Sequence, residues 1–453
     1  MKERKIDVAF WPAEEAEGLA LFRKLQKKLE QKDFDDEYLK MLAEYKGKYP
    51  QSEHIGIFAG YFALYYGDVK EALVLAQDAW KKRKCNLILW QLLIECYDKM
   101  HMLPEKAKFQ GYCRHVYGMD INIQLYRGHL DKILGNITMA QNIGNYAPFL
   151  MNKSEIRNNK LYGRKACLGG EYVPWSMDRD GYRYWVGVFV NQETLNSNGL
   201  LLEREKEFPE FVDEYAADMP FEFAKAKSSK KFQFNPQGKK YIIPLAGNEA
   251  SQDIEFVAGE KQYDAILGKW EFSYYRIEEP VEIRAEKEFV VGKPILLEHS
   301  PKRKKVVLNI LVDALSWQAM REQNYALLPN IMKFFSKGII FNQHFSVSEY
   351  TFPSLATIEA GIYPHKSQIF NGVLNMPLST EYKVISEQMQ DLGYHCVNIM
   401  GYNSGLYTGI ARGYDRQIIN TYAQRVYEGV ERTIQQLEAF GECDQFLLLH
   451  NMD

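Results

Sequence analysis

The sequence predicts a multidomain chain with an all-α N-terminal region, a β-rich middle domain and an α/β C-terminal domain whose sheet is mainly parallel. Apolar residues recur at three- and four-residue spacing up to about residue 142. Short aromatic and β-branched runs then alternate with Gly, Pro and Asn. Beyond about residue 300, apolar strand-like runs alternate with helical stretches. We therefore place the domains at 1–142, 143–300 and 301–453.

Composition and charge argue against general nucleic-acid binding and against a membrane-spanning protein. The 453 residues are 46% hydrophobic and 25% charged, which is typical of a soluble globular protein. A net charge of -3 gives no general electrostatic case for binding nucleic acid. No run of 18 or more apolar residues occurs, which predicts no membrane span. Six cysteines without a CxxC motif suit reduced thiols, so we expect a cytoplasmic or membrane-peripheral protein.

The N-terminal region contains a weak repeat of about 34 residues, the length of a helix pair. Small residues that let two helices approach are followed about one period later by aromatic and apolar residues: Gly60, Ala72, Ala79, Trp90, Leu93 and Tyr97. The pattern resembles tetratricopeptide repeats, whose arrays bind protein partners. An ordinary helical bundle explains the same residues, and both interpretations stay open.

The middle region reads as strands and turns. Tyr182–Val190 and Lys239–Leu245 are rich in aromatic and β-branched residues, and a sandwich would use such strands. The tryptophans Trp175, Trp185 and Trp270 suit either a glycan site or a core, and a core is the commoner use.

The C-terminal region opens with Val306–Val312, a nearly continuous apolar run that predicts a parallel strand buried on both faces. Tyr394–Met400 and Gln445–His450 predict further strands. Asp313 follows the first strand, and ligands of open α/β sheets bind outside the carboxyl ends of strands. Asp313 therefore suits a metal ligand, although it suits an N-cap for the next helix equally well.

Thr351 lies at a predicted helix start. Pro353 fits the first turn of that helix and Gly361 fits its end. A helix N-terminus favours an anion such as a phosphate group. A threonine hydroxyl becomes a useful nucleophile when a base or metal activates it, and a divalent ion held by Asp313 would do so. Without that link, Thr351 would be a capping residue.

Several short segments then match one family in the right order along the chain. They are LVDAL (Leu311–Leu315), Leu328-Pro329-Asn330, TFPSLATIEAGIYPH (Thr351–His365), Gly413-Tyr414-Asp415 and LLLHNMD (Leu447–Asp453). Together they resemble the sulfatase-like branch of the alkaline-phosphatase superfamily. The resemblance covers about the last 150 residues, and it implies an alkaline-phosphatase-like fold there.

The resemblance implies a role for two of these residues at a metal centre. Asp313 would ligate a divalent ion, either manganese, zinc, magnesium or calcium. Thr351 would be both the catalytic nucleophile and a metal ligand. The substrate would be a phosphate ester, and glycan or lipid-linked precursors are the expected class.

The resemblance also implies four substrate-binding residues. Asn371 would hold a non-bridging oxygen of the substrate, although an Asn-Gly turn explains it equally well. His450 and Asp453 would lie at the site as substrate or second-metal groups. His365 is the weaker candidate, since it would only form hydrogen bonds near the site.

The chain departs from the sulfatase pattern in two positions. Sulfatases need a Cys or Ser in C/S-x-P-x-R that becomes formylglycine, whereas this chain has Thr351 and Leu355 there. The resemblance therefore implies phosphoryl or phosphodiester transfer or hydrolysis, similar to phosphoglycerol and phosphoethanolamine transferases. A sulfatase-type ester hydrolase and a non-catalytic scaffold that binds partners through its helical repeats are the alternatives. Because the family carries a further Asp-His pair of metal ligands after its "HxxD" segment, we expect the chain to be a fragment or a degenerate relative.

Overall fold

A computed structural model of the chain describes residues 16–123, 126, 130–143, 150–173, 182–189, 220–341, 343–370, 376–401, 405–420 and 426–452. The chain forms two compact units. The first runs up to Asn142 and includes Ser154–Gly163, and the second contains Ile143–Lys153 and the chain from Arg164 onward. Among the described residues, no helix has both the length and the apolar character needed to cross a membrane.

The first unit is helical, as predicted. Its helices are α1 (Ala16–Gln31), α2 (Asp36–Lys48), α3 (His54–Tyr65), α4 (Val69–Lys82), α5 (Leu87–Lys99), α6 (Leu103–Tyr117) and α7 (Leu130–Asn142). Each helix packs against the next one along the chain. The side chains of Asp35, Asp68 and Asn86 cap α2, α4 and α5 by accepting a backbone N–H from the first turn.

Small residues let α3 lie close to its neighbours. A Cβ at Gly56 would come within 2.7 Å of the Leu75 carbonyl oxygen on α4. A Cβ at Gly60 would come equally close to the Leu92 side chain on α5. Ala72 and Ala79 on α4 are buried, as close packing of a helix pair requires. The tetratricopeptide-like interpretation of these helices stays a prediction.

Strands follow α7 along the chain and make up most of the second unit. They are β1 (Leu150–Arg157), β2 (Lys160–Cys167), β3 (Arg183–Val188), β4 (Pro220–Phe234), β5 (Tyr241–Ala246), β6 (Gln252–Ala258), β7 (Lys261–Leu267), β8 (Phe272–Ile277), β9 (Val281–Gly292), β10 (Ile295–Leu296), β11 (Val306–Val312), β12 (His395–Gly401), β13 (Arg416–Asn420) and β14 (Gln445–Asn451). In the described residues, β1 and β2 form a two-stranded sheet, and the other strands form one twelve-stranded sheet.

Six described helices accompany the C-terminal strands. They are α8 (Trp317–Glu322), α9 (Pro329–Phe335), α10 (Thr351–Ala360), α11 (Pro364–Ser367), α12 (Ile385–Asp391) and α13 (Val426–Ala439). The alternation of strand and helix in this region is therefore confirmed.

The large sheet is mixed, so the prediction of a mainly parallel sheet was wrong. Strands β11, β14, β12 and β13 lie side by side in that order and are parallel. Strand β13 then pairs antiparallel with β4, and the β-rich strands continue the sheet from there with antiparallel pairs. Apolar runs reveal strands but not the direction of their partners, which is why the sequence did not predict this junction.

Strand β11 occupies the bounds predicted for it, but its burial was predicted wrongly. Among the described strands it pairs only with β14, so it lies at an edge of the sheet. Val306, Leu308 and Ile310 are 45%, 38% and 57% exposed. A parallel strand is buried on both faces only where other elements cover it, and the described elements leave these side chains open.

The described tryptophans of the middle region belong to the core. Trp185 and Trp270 are buried, and Trp185 meets the Phe272 ring edge-on with centroids 5.3 Å apart. This packing leaves their faces unavailable to a glycan. Trp175 lies outside the described residues.

Candidate functional site

Two of the predicted residues lie at the carboxyl ends of neighbouring parallel strands. In the register of β11 and β14, Leu311 is opposite His450 and Val312 is opposite Asn451. The backbone N–H of Asp313 extends this ladder by donating to the Asn451 carbonyl oxygen at 2.9 Å. The sheet therefore fixes Asp313 and His450 at the same edge, where ligands of parallel sheets bind.

The backbone bends sharply directly after Asp313. Ala314 adopts a φ of 56°, in the left-handed region that costs a residue with a Cβ about 1–2 kcal/mol. The bend ends the strand and starts the turn toward α8, whose N-cap is Ser316. Asp313 itself is thus not the capping residue, and its carboxylate is free to turn toward another element.

Thr351 is the first residue of α10, as the Pro353 and Gly361 signals predicted. Tyr350 before it is extended, and Gly361 ends the helix with a φ of 66°. Phe352 and Leu355 are buried in the main core of the second unit, so α10 is held against the sheet. Leu355 takes the place of the sulfatase arginine, and it lies in the core.

The three residues meet at one carboxylate oxygen. The Thr351 hydroxyl donates to Asp313 Oδ2 at 3.0 Å. His450 Nε2 lies 3.4 Å from the same Oδ2 atom. The structure therefore brings together a hydroxyl, a carboxylate and an imidazole from a helix start and two strand ends.

Burial differs sharply across this group. The Asp313 side chain is 28% exposed, whereas that of His450 is 1% exposed. Burial lowers the pKa of His450, and the neighbouring Asp313 carboxylate partly opposes that shift. A neutral imidazole is the form that offers a nitrogen lone pair to a metal or accepts a hydrogen bond.

The other predicted residues are not brought into this group. His365 lies on α11, exposed, with its ring stacked near Tyr363 at a centroid distance of 6.1 Å. Within the described part of the chain, no hydrogen bond or ion pair joins His365 to Asp313 or Thr351. Asn371 and Asp453 lie outside the described residues, so their roles stay predictions.

The side-chain atoms at this site include potential ligands for a divalent ion. Asp313, Thr351 and His450 supply a carboxylate oxygen, a hydroxyl oxygen and an imidazole nitrogen at one point. Oxygen donors suit manganese, magnesium or calcium, and the imidazole also suits zinc. Across the ranges that the structure describes, no three His, Cys, Asp or Glu side chains cluster as a metal site. The convergent donors fit part of a coordination sphere.

Sequence reasoning missed a buried carboxyl on the same helix. Glu359 is 4% exposed and is hydrogen-bonded to Tyr414 and Ser386. The available signal was that TFPSLATIEA contains a single charged residue among apolar and small ones.

Comparison with known proteins gives an independent view of this region. Residues 305–450 match the family model Sulfatase. The match spans roughly a third of the chain and contains Asp313, Thr351 and His450. It supports the alkaline-phosphatase/sulfatase superfamily, and in general terms a sulfatase-like ester hydrolase or transferase.

The matches of this chain to solved structures are distant. No curated protein matches the chain. Among solved structures, hydroxypropylphosphonic acid epoxidase from S. wedmorenis is 12% identical over 49% of this chain and 96% of that one, with a TM-score of 0.11. The CoII form of HppE in complex with substrate is 12% identical over 49% of this chain and 97% of that one, with a TM-score of 0.11. Such TM-scores carry no structural argument.

Proposed function

We propose that the Sulfatase-matching region catalyses phosphoryl or phosphodiester transfer or hydrolysis, with Thr351 as the nucleophile. The observation that carries the proposal is the 3.0 Å hydrogen bond from the Thr351 hydroxyl to Asp313 at a helix N-terminus. A hydroxyl held by a carboxylate is oriented for attack, and a helix N-terminus favours the charge of a phosphate group. The substrate would be a phosphate ester, with a glycan or lipid-linked precursor as the expected class.

The reaction would have two balanced steps. In the first, Thr351 Oγ1 bonds to phosphorus, its proton passes to Asp313 Oδ2, and the bond from phosphorus to the leaving alcohol breaks. Asp313 passes that proton to the leaving oxygen, and a phosphothreonine remains. In the second step, water or an acceptor alcohol attacks phosphorus and gives its proton to Asp313 Oδ2, the bond from phosphorus to Oγ1 breaks, and Oγ1 takes that proton from Asp313. His450 would lie beside the Asp313 carboxylate as a substrate or second-metal group.

A divalent ion belongs to the proposal. Asp313 and Thr351 would hold it, with His450 as a further donor or as a substrate group. When bound, it would lower the pKa of the Thr351 hydroxyl and neutralise charge on the phosphate. Manganese, zinc, magnesium and calcium are each compatible with these donors.

The residue at position 351 favours phosphate over sulfate esters. Threonine cannot form the aldehyde that sulfatases use, and buried Leu355 replaces their arginine. A threonine hydroxyl can carry a phosphoryl group directly. Sulfate-ester hydrolysis is therefore the second candidate, and the description of the matched family is the observation that favours it.

The test compares Thr351→Ala with the wild type on aryl phosphate monoesters, phosphodiesters and sulfate esters, each with the four metals. We expect phosphate-ester turnover that falls at least about a thousandfold in the variant, because the nucleophile is lost. Mass spectrometry of the trapped wild-type protein should place one phosphoryl group on Thr351. Thr357→Ala is the matched control, since Thr357 lies on the same helix and its hydroxyl donates only to the Ile362 carbonyl oxygen.

Other outcomes point to the alternatives. Turnover of sulfate esters alone would support the sulfatase-type hydrolase. Equal turnover by wild type and Thr351→Ala would contradict the role of Thr351. If no ester is turned over with any metal, the scaffold hypothesis gains, and pull-down of a protein partner by the helices α1–α6 becomes its test.

A further inference from the structure

The C-terminal end of α10 is anchored by a buried carboxyl. The Tyr414 hydroxyl donates to Glu359 Oε1 at 2.5 Å. The Ser386 hydroxyl donates to Glu359 Oε2 at 3.1 Å. Glu359 thereby connects α10, which starts at Thr351, to α12 and to the segment that precedes β13.

The two partners of Glu359 are themselves fixed. A Cβ built at Gly413 would overlap Glu387 N and Ser386 Oγ, so the backbone before Tyr414 lies directly on the start of α12. The Tyr184 hydroxyl on β3 also donates to the Tyr414 carbonyl oxygen. The anchor point is therefore a rigid part of the second unit.

The charged and titratable groups around Glu359 come from each neighbouring element. Arg412 lowers the pKa of Glu359 by its charge and lies 3.1 Å from Glu387 Oε1 through its own Nε. The Cys396 thiol on β12 contacts the Ser386 carbonyl oxygen at 3.5 Å. Tyr414 and Ser386 complete the set.

We propose that Glu359 is a positioning residue for the Thr351 site, because it fixes the helix that presents the Thr351 hydroxyl to Asp313. The inference rests on the proposed function of Thr351. Its structural content is separate: the Glu359 carboxyl joins the far end of α10 to α12 and to Tyr414, and loss of that carboxyl would let the helix shift. A displacement of about 1 Å at reacting atoms can cost about a hundredfold in rate.

The anchor depends on pH. Burial is the largest influence on Glu359 and raises the pKa to about 7, against the hydrogen bonds from Tyr414 and Ser386. Once α10 opens and the carboxyl meets water, the pKa returns to its ordinary value near 4.5. The closed helix thus binds the proton more tightly, and its stability falls as pH rises from about 4.5 to about 7. Glu359→Gln stays neutral and removes this dependence.

The kinetic test uses the full chain with Glu359→Ala, Glu359→Gln and Tyr414→Phe on the ester that the wild type turns over. We expect Glu359→Ala to lower kcat about tenfold or more with KM unchanged within about twofold. Glu359→Gln should restore kcat to within about threefold, since its amide oxygen accepts from one hydroxyl and its NH2 group donates to the oxygen of the other. Tyr414→Phe removes one hydroxyl with little change in volume and should lie between them. Glu438→Gln, on the exposed face of α13, is the matched control.

Hydrogen exchange of the peptide Thr351–Ala360 tests the anchor without any turnover. Between pH 5.5 and 7.5, opening of α10 in the wild type should increase about twentyfold relative to Glu359→Gln measured at the same pH. Equal protection of the two proteins at both pH values would overturn the inference. So would a wild-type kcat in Glu359→Ala, or a kcat in Glu359→Gln as low as in Glu359→Ala.

The two hypotheses fail in different ways. If Thr351→Ala loses activity while Glu359→Ala keeps a normal kcat, the proposed function is supported and the positioning role of Glu359 is contradicted. If no ester is turned over, the exchange experiment alone decides whether Glu359 holds α10.

Discussion

At the residue scale, the segment that carries the Tyr414 partner of Glu359 is tightly packed. Gly413 is the residue that allows the segment before Tyr414 to lie on α12, because any side chain there would meet the backbone of Glu387. The Gly-Tyr-Asp segment singled out in the sequence thus has a packing role. Asp415 accepts the Cys396 backbone N–H at 3.0 Å, and a bond from the Gln390 side chain, so it ties β12 to α12.

Gly413→Ala should therefore destabilise the protein. The added methyl group overlaps rigid backbone, and overpacking of this kind costs about 1–3 kcal/mol of unfolding free energy. Gly441→Ala is the control, because a Cβ there would meet its nearest atoms at 3.4 and 3.5 Å, an ordinary contact. Urea denaturation of both variants measures the difference. Equal stabilities would show that the segment relaxes without cost.

Part of the site could be predicted at this scale and part could not. Asp313 stands at a strand end and Thr351 at a helix start, and those positions are readable from local patterns, whereas His450 was expected only from the family resemblance. Glu359 depends on Tyr414, 55 residues away, and on Ser386, 27 residues away. Contacts of that separation leave no local signal, since nothing near Glu359 in the sequence specifies its partners.

At the element scale, β11 shows that a sequence pattern can predict a strand without predicting its burial. The run VVLNILV predicted a strand correctly, because β-branched and apolar residues favour extended backbone. It did not predict burial, which depends on the neighbours that an element finds. Strand β14 has a similar composition and is buried along its whole length, with strands on both sides.

The contrast between these two strands gives a direct prediction. Ile310→Lys on β11 should change the free energy of unfolding by less than about 1 kcal/mol, because that side chain is 57% exposed. Leu449→Lys on β14 should cost at least about 3 kcal/mol, because a buried charge is uncompensated there. Thermal and urea unfolding would compare them. A large loss in Ile310→Lys would show that β11 is covered in solution.

At the scale of the second unit, one buried ion pair lies where the parallel and antiparallel strands meet. Arg416 on β13 lies 2.8 Å from Glu222 on β4 and is 8% exposed. Arg416 also packs over the Tyr274 ring at 4.8 Å and donates to the Gln436 side chain. The sequence did not indicate this pair, because the pairing of β4 with β13 joins segments almost 200 residues apart.

Glu222→Gln should destabilise this junction strongly. It leaves the Arg416 charge buried without a counter-charge, which costs about 3–5 kcal/mol. Glu442→Gln breaks an exposed pair with Arg276, and because solvent screens that pair the loss of unfolding free energy should be much smaller than in Glu222→Gln. The two variants compared by urea unfolding test the difference. Similar small losses would mean that water reaches Arg416.

Strand β4 has a consequence for how this protein can be divided. It is fifteen residues long, and it pairs with β13 through Pro220–Ala224 and with β9 through its later residues. The stretch that matches a known family starts at residue 305, whereas the sheet that contains its strands also includes β4. The family match and the sheet therefore have different boundaries. Expression of that stretch alone would remove β4 from the edge of β13. The unpaired backbone amide and carbonyl groups of β13 could then pair with another chain, which leads to aggregation. A shortened chain for expression should therefore retain β4 together with β13.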